Sequence, residues 1–262
     1  MSKHLPKASI FITGAAAGIG RETARVFAAR GWRVGAYDVD LAGLQSLKAE
    51  CSGDITIGTL DVVDAEACKA AVAEFASADG GRLDVMFNNA GILSVGHFED
   101  IDVRRHHAIV DINLKGVING CLAALPHLRA TPGSRVISMA SASAIYGSPD
   151  YASYSATKFA VRGLTEALDI EWSRFGIRVM DIMPLFVKTA MVTDIEQPIS
   201  IGRLGIRLSA QDIAQTVWRA AHWSAWRRVH WYPGIQTRAM SLANALSPGL
   251  LNRATVKTLS GY

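Results

Sequence analysis

The feature that most constrains this chain is a regular alternation of short β-branched runs with longer amphipathic stretches. The runs, which predict strands, are Ser9–Thr13, Arg33–Tyr37, Asp54–Leu60, Leu83–Asn88, Ser134–Met139, Ile177–Met183 and Val229–Trp231. The stretches, which predict helices, are Ile19–Arg30, Leu41–Glu50, Ala65–Ala78, Val103–Leu128, Tyr151–Phe175 and Ala210–Trp223. Strands connected through helices pair in parallel with right-handed crossovers. The pattern therefore predicts an α/β fold, a doubly wound parallel sheet of about seven strands with helices on both faces.

The chain reads as one globular domain. Its 262 residues are 50% hydrophobic and 19% charged, which excludes disordered, collagen-like and coiled-coil classes. No linker or repeat divides it, so we expect a single domain over 1–262. Within that domain an irregular segment at about 188–207 is expected to cover a site, and a tail follows at about 233–262.

Composition also limits the partners. The formal net charge of +4 is mild, and no continuous basic stripe points to nucleic acid. The cysteines and histidines show no metal-binding spacing, so no metal is expected. No uncharged apolar run reaches the ~18 residues of a membrane span, and no signal core is seen, which favours the cytoplasm.

The C-terminal part is rich in tryptophan and arginine. The residues concerned are Trp218, Trp223, Trp226, Arg227, Arg228 and Trp231. A subunit interface, a peripheral membrane patch and nucleic-acid stacking are all open interpretations. Packing against the body of the domain or a neighbouring subunit is the default expectation.

A glycine-rich turn joins the first predicted strand to the first helix. Gly14 permits a tight turn, Gly18 lets backbone amides approach a pyrophosphate, and Gly20 allows close packing of helix on strand. Ala17 and Ile19 complete the segment, whose GxxxGxG spacing departs from the GxGxxG fingerprint. A helix N-terminus at this point also favours phosphate groups. The turn predicts a dinucleotide site.

Asp38 closes the second predicted strand, 18 residues after Gly20. A carboxylate at this offset accepts hydrogen bonds from the adenosine ribose and repels a 2′-phosphate. Ala17 before Gly18 and Val39 after Asp38 are not basic, which favours NAD over NADP. Arg21 and Arg25 keep NADP open as the less favoured cofactor.

Tyr154 and Lys158 share one face of a predicted helix, because they are four residues apart. A lysine at this distance is expected to lower the pKa of the tyrosine, which can then act as a general acid or base. Ser141 follows a predicted strand end, where its hydroxyl can hold a substrate oxygen beside the phenol.

Together these pieces resemble the short-chain dehydrogenase/reductase family of Rossmann-fold oxidoreductases, over about residues 7–232. The matching residues are Thr13–Gly20, Asp38, Asp61-Val62, Asn88-Asn89-Ala90-Gly91, Asn113, Ser141 and Tyr154-Ser155-Ala156-Thr157-Lys158. The resemblance implies that Asp61 and Val62 contact the adenine. It also implies that Asn89, Ala90 and Gly91 line the cofactor cleft, with Ile19, Tyr154 and Lys158 touching the nicotinamide half.

The resemblance further implies that Asn113, Ser141, Tyr154 and Lys158 are the catalytic residues, with Asn113 holding a water on a proton route. Pro184, Val187 and Thr189 match positions near the nicotinamide carboxamide. Leu185 departs from the family, which commonly has glycine there, and can narrow the substrate cleft.

The expected reaction is hydride transfer between NAD and a secondary alcohol or ketone. Leu93, Ile145, Tyr151 and Leu185 are the candidate substrate residues, and their apolar character favours a hydrophobic substrate. The alternatives are an NADPH-dependent carbonyl or 3-oxoacyl reductase and, from another class, a non-catalytic NAD-binding regulatory protein. The resemblance implies a homodimer or homotetramer through the helices at Val103–Leu128 and Tyr151–Phe175.

Overall fold

A computed structural model describes residues 7–189, 191 and 199–262. Its strands are β1 (Ser9–Thr13), β2 (Arg33–Asp38), β3 (Ile55–Thr59), β4 (Val85–Asn88), β5 (Arg135–Met139), β6 (Arg178–Ile182), β7 (Val187–Lys188), β8 (Leu208–Ser209) and β9 (His230–Trp231). The main sheet has seven strands, all parallel, in the order β3-β2-β1-β4-β5-β6-β9. The predicted α/β fold is confirmed.

Helices connect these strands. They are α1 (Gly18–Ala28), α2 (Leu41–Glu50), α3 (Ala65–Ser77), α4 (Val103–Val110), α5 (Gly116–Arg129), α6 (Ala152–Glu171), α7 (Ile199–Leu204), α8 (Ala210–His222), α9 (Ile235–Leu246) and α10 (Gly249–Ser260). Short 3₁₀ turns cover Phe98–Asp100, Ala142–Ala144 and Trp172–Phe175, and a π-helical turn covers Asp111–Lys115.

Two apolar cores lie on opposite faces of the sheet. Along β1, Ile10 and Ile12 belong to the first core and Phe11 to the second, because successive strand side chains alternate between faces. The first core includes Phe27 of α1 and other residues of α2 and α8. The second includes Val161 of α6 and residues of α3 and α5. Each face of the sheet is therefore covered by helices, as doubly wound sheets require.

The long helix predicted over Val103–Leu128 is interrupted. The π-helical turn at Asp111–Lys115 separates α4 from α5. Within this turn Asn113 is fully buried, and its side chain bonds the backbone of Ile92. Such turns are often found at functional sites. A π-helical turn adds one residue to a single helical turn, and this hardly changes the apolar pattern of the helix. The sequence therefore could not predict the π-helical turn.

The helical run Val103–Arg129 is long and apolar enough to cross a membrane, with a mean hydropathy of 1.4 over its best window. However, 44% of that window is buried inside the protein. The run also packs against α3 and α6. These contacts are those of an interior helix of the domain.

The segment predicted to be irregular, 188–207, contains more regular structure than expected. Val187–Lys188 and Leu208–Ser209 pair as a small parallel sheet, and α7 precedes the second of these strands. Residue 190 and residues 192–198, including Pro198, lie outside the described part of the chain. The rest of this segment stands beside the carboxyl ends of the main strands.

The C-terminal part folds onto the domain. Trp218 packs its ring against Phe27 and Trp32, with ring centroids 5.0 and 5.8 Å away, as the default expectation of packing predicts. The tail, for which no helices were predicted, forms α9 and α10. Its leucines at 242, 246, 250 and 251 remain exposed.

Candidate active site

The carboxyl ends of the central strands surround a cavity of about 450 Å³. It lies where β1 and β4 are neighbours and their connections lead away in opposite directions, the usual ligand position in such sheets. Most residues predicted for the site line it: Gly14, Ala17, Gly18, Ile19, Asp38, Asn89, Ala90, Gly91, Leu93, Ser141, Ile145, Tyr151, Tyr154, Lys158, Pro184, Leu185, Val187 and Thr189. Their individual roles remain predictions.

The glycine turn has a shape that side chains would prevent. Gly14 has a φ of 68°, and a Cβ there would lie 2.7 Å from Ala90 Cα. Gly18 has a φ of 53°, and a Cβ there would lie 3.3 Å from Thr189 Cγ2. A Cβ on Gly20 would overlap the carbonyl oxygen of Gly14, which explains why Gly20 packs behind the turn instead of lining the cavity. The turn leaves its backbone open to a phosphate group.

Asn89 ties the ends of β1 and β4 together. Its Nδ2 donates to Thr13 O at 3.1 Å and to Gly14 O at 2.9 Å. The backbone amides of Asn89 and Ala90 donate to Thr13 Oγ1 at 3.1 and 3.2 Å. These bonds hold the Ala90–Gly91 backbone directly against the glycine turn, and both border the cavity.

The carboxylate of Asp38 is fixed at the end of β2. Its Oδ2 accepts from Ala16 N at 3.0 Å, and its Oδ1 accepts from Asp40 N at 3.1 Å. The group still borders the cavity, which leaves lone pairs for further donors. An acceptor-only group held by backbone amides suits a ligand that presents hydroxyls.

Arg21 lies on α1 and is engaged by groups other than Asp38. Its guanidinium donates to Ala16 O, Gly43 O and Ser46 Oγ at 2.9 to 3.1 Å. It also forms an ion pair with Glu50 at 2.6 Å, and this hydrogen bond lowers the pKa of Glu50. Arg25 pairs with Glu22 at 3.1 Å. Both arginines are thus bound to other groups of the chain.

Ser141, Tyr154 and Lys158 come together from β5 and α6. Ser141 follows β5 and accepts from Ser143 N at 3.2 Å, which caps a 3₁₀ turn and fixes its hydroxyl. The Lys158 ammonium is 5.3 Å from the centroid of the Tyr154 ring, because the two residues are one helical turn apart. Its Nζ donates to Met139 O at 2.7 Å. A phenol, a hydroxyl and an ammonium group therefore face one cavity.

Burial shifts the pKa of both ionisable groups of this trio. Burial raises the pKa of Tyr154, and its hydrogen bond with Ser141 acts in the opposite direction. Burial also lowers the pKa of Lys158 to about 8. The expectation that Lys158 lowers the pKa of Tyr154 is wrong for this structure. The lysine directs its ammonium to a backbone carbonyl, and desolvation of the phenol dominates.

Some predicted site residues lie outside the cavity wall. Asn113 bonds Ile92 N and Ile92 O at 2.8 and 2.9 Å, and so supports the loop after β4 from behind. Asp61 is exposed and accepts from Val63 N at 3.0 Å, which shapes a turn after β3. Val62 is buried against Gly116. The proton route through Asn113 and the adenine contacts of Asp61 and Val62 stay predictions.

The far wall of the cavity is mainly apolar. Tyr151 and Phe186 approach with ring centroids 6.5 Å apart, and Leu185 packs against the second core. Burial raises the pKa of Tyr151, so this phenol stays neutral. The side chain of Leu185, where the family commonly has glycine, occupies part of this wall.

Helices α9 and α10 also contribute to this wall, which the sequence did not predict. Residues of these helices that border the cavity are Met240, Ala243, Asn244, Ser247, Asn252, Thr255, Val256, Leu259 and Ser260. Asn244 Nδ2 also donates to Ile145 O at 3.3 Å, which connects α9 to the loop after β5. The tail carries no motif, so its amphipathic character was the one available signal.

Comparison with known proteins agrees with this geometry. The short chain dehydrogenase family profile matches residues 8–200. A cyclohexanol dehydrogenase of Acinetobacter sp. is 32% identical over 83% of this chain and 88% of its own length. A D-threitol dehydrogenase of Mycolicibacterium smegmatis is 33% identical over 69% of this chain and 70% of its own. A 3-ketoacyl-(acyl-carrier-protein) reductase of Brucella melitensis, solved with NADH, superposes with a TM-score of 0.77 at 27% identity, covering 87% of this chain and 97% of that one.

The chain belongs to the short-chain dehydrogenase family. It is an oxidoreductase that transfers a hydride between a nicotinamide cofactor and an alcohol or ketone. Among the described residues no cluster of histidine, cysteine and carboxylate side chains could hold a metal.

Proposed function

We propose that this enzyme interconverts a hydrophobic secondary alcohol and its ketone, with NAD as the cofactor. The observation that carries the proposal is that Ser141, Tyr154 and Lys158 border the same cavity as the glycine turn and Asp38. The proton-transfer groups and the dinucleotide cradle thus share one space with an apolar wall.

In this proposal Tyr154 takes the hydroxyl proton of the alcohol, or returns it to the ketone oxygen. Ser141 donates a hydrogen bond to the same oxygen and stabilises its developing charge. Lys158 holds the ribose beside the site through its ammonium group. When bound, the nicotinamide accepts or supplies the hydride. Asn113 supports the surrounding loop and connects the proton route to solvent.

The preference for NAD rests on Asp38 and on the arginines near it. A carboxylate can accept from both ribose hydroxyls and repels a 2′-phosphate. Arg21 is bound to Glu50 and to backbone carbonyls, and Arg25 is bound to Glu22, so neither is free to hold that phosphate. Val39 is exposed and carries no charge.

The substrate class follows from the wall opposite the glycine turn. Leu93, Ile145, Tyr151 and Leu185 border it, and α9 and α10 add Met240, Val256 and Leu259. A mainly apolar wall beside a polar reaction centre fits a cyclic or branched alcohol. The similarity to a cyclohexanol dehydrogenase supports a cyclic, apolar alcohol. The D-threitol dehydrogenase is named for a polyol, which the mainly apolar wall fits less well.

Assembly into a homodimer or homotetramer is part of the proposal. Large apolar side chains remain exposed on the predicted interface helices: Leu122 on α5 is 61% exposed, and Phe159 and Ile170 on α6 are 41% and 75% exposed. Apolar residues of this size on neighbouring helices favour contact with a second subunit.

Cofactor choice is tested by titrating NADH and NADPH against the wild-type protein and two variants. Asp38→Ser removes the ribose acceptor and is expected to weaken NADH binding at least tenfold while improving NADPH binding. Asp40→Ser is the matched control, since it changes a neighbouring carboxylate outside the cavity and keeps an N-cap residue for α2. Tighter binding of NADPH by the wild-type protein would overturn the NAD assignment.

The reaction is tested with a panel of cyclic, branched and linear secondary alcohols, followed by NADH absorbance. Tyr154→Phe is expected to reduce turnover by about 10²-fold or more, with cofactor affinity nearly unchanged. Full activity of this variant would refute the role of Tyr154. Tight cofactor binding with a silent panel in both reaction directions would favour the non-catalytic regulatory alternative.

A further inference from the structure

A second cavity, of about 400 Å³, lies at the β9 edge of the sheet. It is bordered by the C-terminal half of α8, by the segment before β9 and by the start of α9. Its lining residues are Thr216, Trp218, Arg219, His222, Trp223, Ser224, Ala225, Arg228, Trp231, Tyr232, Pro233 and Arg238. Among the described residues, no side chain borders both this cavity and the active site. The second cavity is therefore a separate space.

Three arginines converge on it from three segments. Arg219 lies on α8, Arg228 lies just before β9, and Arg238 lies on α9. Within the described part of the chain, none of them forms an ion pair with a carboxylate, whereas Arg21 and Arg227 do. Their positive charges are concentrated without an anionic partner from the protein.

The arginines are held instead by neutral acceptors. Arg219 donates to Gln215 O at 3.3 Å and to Thr216 Oγ1 at 3.1 Å. Arg238 Nε donates to Tyr232 O at 3.1 Å, and Arg228 Nε lies 3.5 Å from His230 O. Each guanidinium has five N–H donors, so most of the donors stay available. Burial lowers the pKa of Arg228, and the charges of Arg238 and Arg219 lower it further.

Aromatic side chains complete the wall. Arg228 lies over the Trp231 ring with its Cζ 4.2 Å from the centroid, and Trp223 meets Trp231 edge to face at 5.6 Å. Trp231 is 4% exposed, and its indole Nε1–H is buried without a hydrogen-bond partner. Buried donors are nearly always paired, so this unpaired N–H, on a ring that lines the cavity and contacts Arg228, is a donor without an acceptor.

We propose that this cavity binds a phosphate-bearing small molecule, with Arg219, Arg228 and Arg238 on the phosphate. Guanidinium groups match phosphate oxygens in charge and in planar, paired geometry, which several arginines around one cavity exploit best. The aromatic walls offer a flat apolar surface to the rest of the ligand. A cavity of about 400 Å³ is large enough for such a molecule.

The test is calorimetric titration with inorganic phosphate and with pyrophosphate. It is carried out on the full chain without dinucleotide, and the variants described next separate binding at the second cavity from binding at the glycine turn of the active site. Sodium chloride at matched ionic strength measures the nonspecific contribution. We expect saturable binding, tighter for pyrophosphate than for phosphate.

Variants assign the binding to the second cavity. Arg228→Met and Arg238→Met keep most of the side-chain length and remove the charge, and each is expected to weaken binding about tenfold. Trp231→Phe keeps the ring and removes the N–H donor, and is expected to weaken binding severalfold. Arg253→Met is the control, because Arg253 is exposed on α10 and borders neither cavity. Thermal unfolding of each variant verifies that it is folded.

Two results would overturn the proposal. One is the absence of heat beyond that of the matched salt. The other is equal affinity for pyrophosphate in Arg228→Met, Arg238→Met and the control Arg253→Met. That result would show that the anion binds elsewhere on the protein. Neither result bears on the hydride-transfer activity, whose groups lie in the first cavity.

Discussion

Lys158 is an ammonium group enclosed by protein at the centre of the active site. It is 5% exposed, and its Nζ has the carbonyl oxygen of Met139 as acceptor at 2.7 Å. Burial lowers its pKa from 10.5 to about 8, since leaving water disfavours the charged form. A side chain of this kind lowers the stability of the fold at neutral pH. In the proposed function, the hold of Lys158 on the cofactor ribose is the reason for keeping a charged group at this position.

Lys158→Met should make this cost visible as a pH dependence. The pKa of Lys158 is about 8 in the folded protein and 10.5 in the unfolded chain. Between these pH values the unfolded chain binds more protons than the folded protein, so the stability of the wild-type protein rises with pH. The variant lacks this contribution. Its stability relative to wild type is expected to fall by about 2 kcal/mol between pH 7 and pH 9.5, measured by urea unfolding.

Lys48→Met, at an exposed position on α2, is the control for this measurement and should show no such change. A difference between Lys158→Met and wild type that stays constant from pH 7 to pH 9.5 would contradict the buried-ammonium interpretation. The readout is stability alone, so the loss of activity expected for this variant does not interfere.

For single residues, the sequence predicted positions on a helix but not the surroundings of each side chain. The four-residue spacing of Tyr154 and Lys158 was enough to place both on one helical face. The directions of their pKa shifts could not be inferred, because desolvation depends on which other elements cover α6. The same limit applies to Arg21, whose partners Gly43 and Glu50 lie on α2, more than twenty residues along the chain.

At the scale of elements, β9 is short and is held by side chains as much as by its backbone. It consists of His230 and Trp231 and pairs with Asp181 and Ile182 of β6. His230 Nδ1 lies 3.0 Å from both carboxylate oxygens of Asp181, which is fully buried. Its Nε2 lies 3.0 Å from Glu166 Oε1 on α6. This cluster connects the edge strand to the helix that carries Tyr154 and Lys158.

His230→Phe is expected to destabilise the protein by about 3 kcal/mol, because it leaves a buried carboxylate without its partner. The double variant with Asp181→Leu removes both groups and should recover part of this loss. Urea unfolding of the two single variants, the double variant and wild type gives the coupling between the residues. Two results would show that the cluster does not hold β9. One is a free energy of unfolding of His230→Phe within about 0.5 kcal/mol of wild type, and the other is a double variant that loses more stability than the two single variants together.

The elements that followed from the sequence are those that build the two cores. Parallel strands buried on both faces appear as short apolar runs, and helices that cover them appear as periodic stretches. The tail helices α9 and α10 do not cover the sheet in this way. One side of these helices forms the cavity wall, and several leucines on them stay exposed. The distribution of apolar residues along α9 and α10 is therefore typical of neither a core helix nor a loop.

At the scale of the whole molecule, the last residues of the sequence meet loops that follow β4 and β5. The Tyr262 hydroxyl donates to Asp150 Oδ1 at 2.7 Å and lies 2.8 Å from His97 Nδ1. Asp150 adopts a φ of 64°, a left-handed conformation that is rare outside glycine, directly before Tyr151 of the cavity wall. The contact thus fixes α10 and the Tyr151 loop relative to each other, and the substrate cavity lies between them.

Tyr262→Phe is expected to loosen this wall without unfolding the protein. Tyr262 is 53% exposed, so losing its hydrogen bonds should cost at most about 1 kcal/mol of stability. If α10 shapes the substrate pocket, the KM for a bulky cyclic alcohol should rise about threefold to tenfold, while kcat and cofactor affinity stay near wild type. Tyr232→Phe, which removes a hydroxyl far from this contact, serves as the matched control in steady-state kinetics. An unchanged KM in Tyr262→Phe, or an equal rise in both variants, would mean that the hydroxyl of Tyr262 does not hold α10 against the substrate.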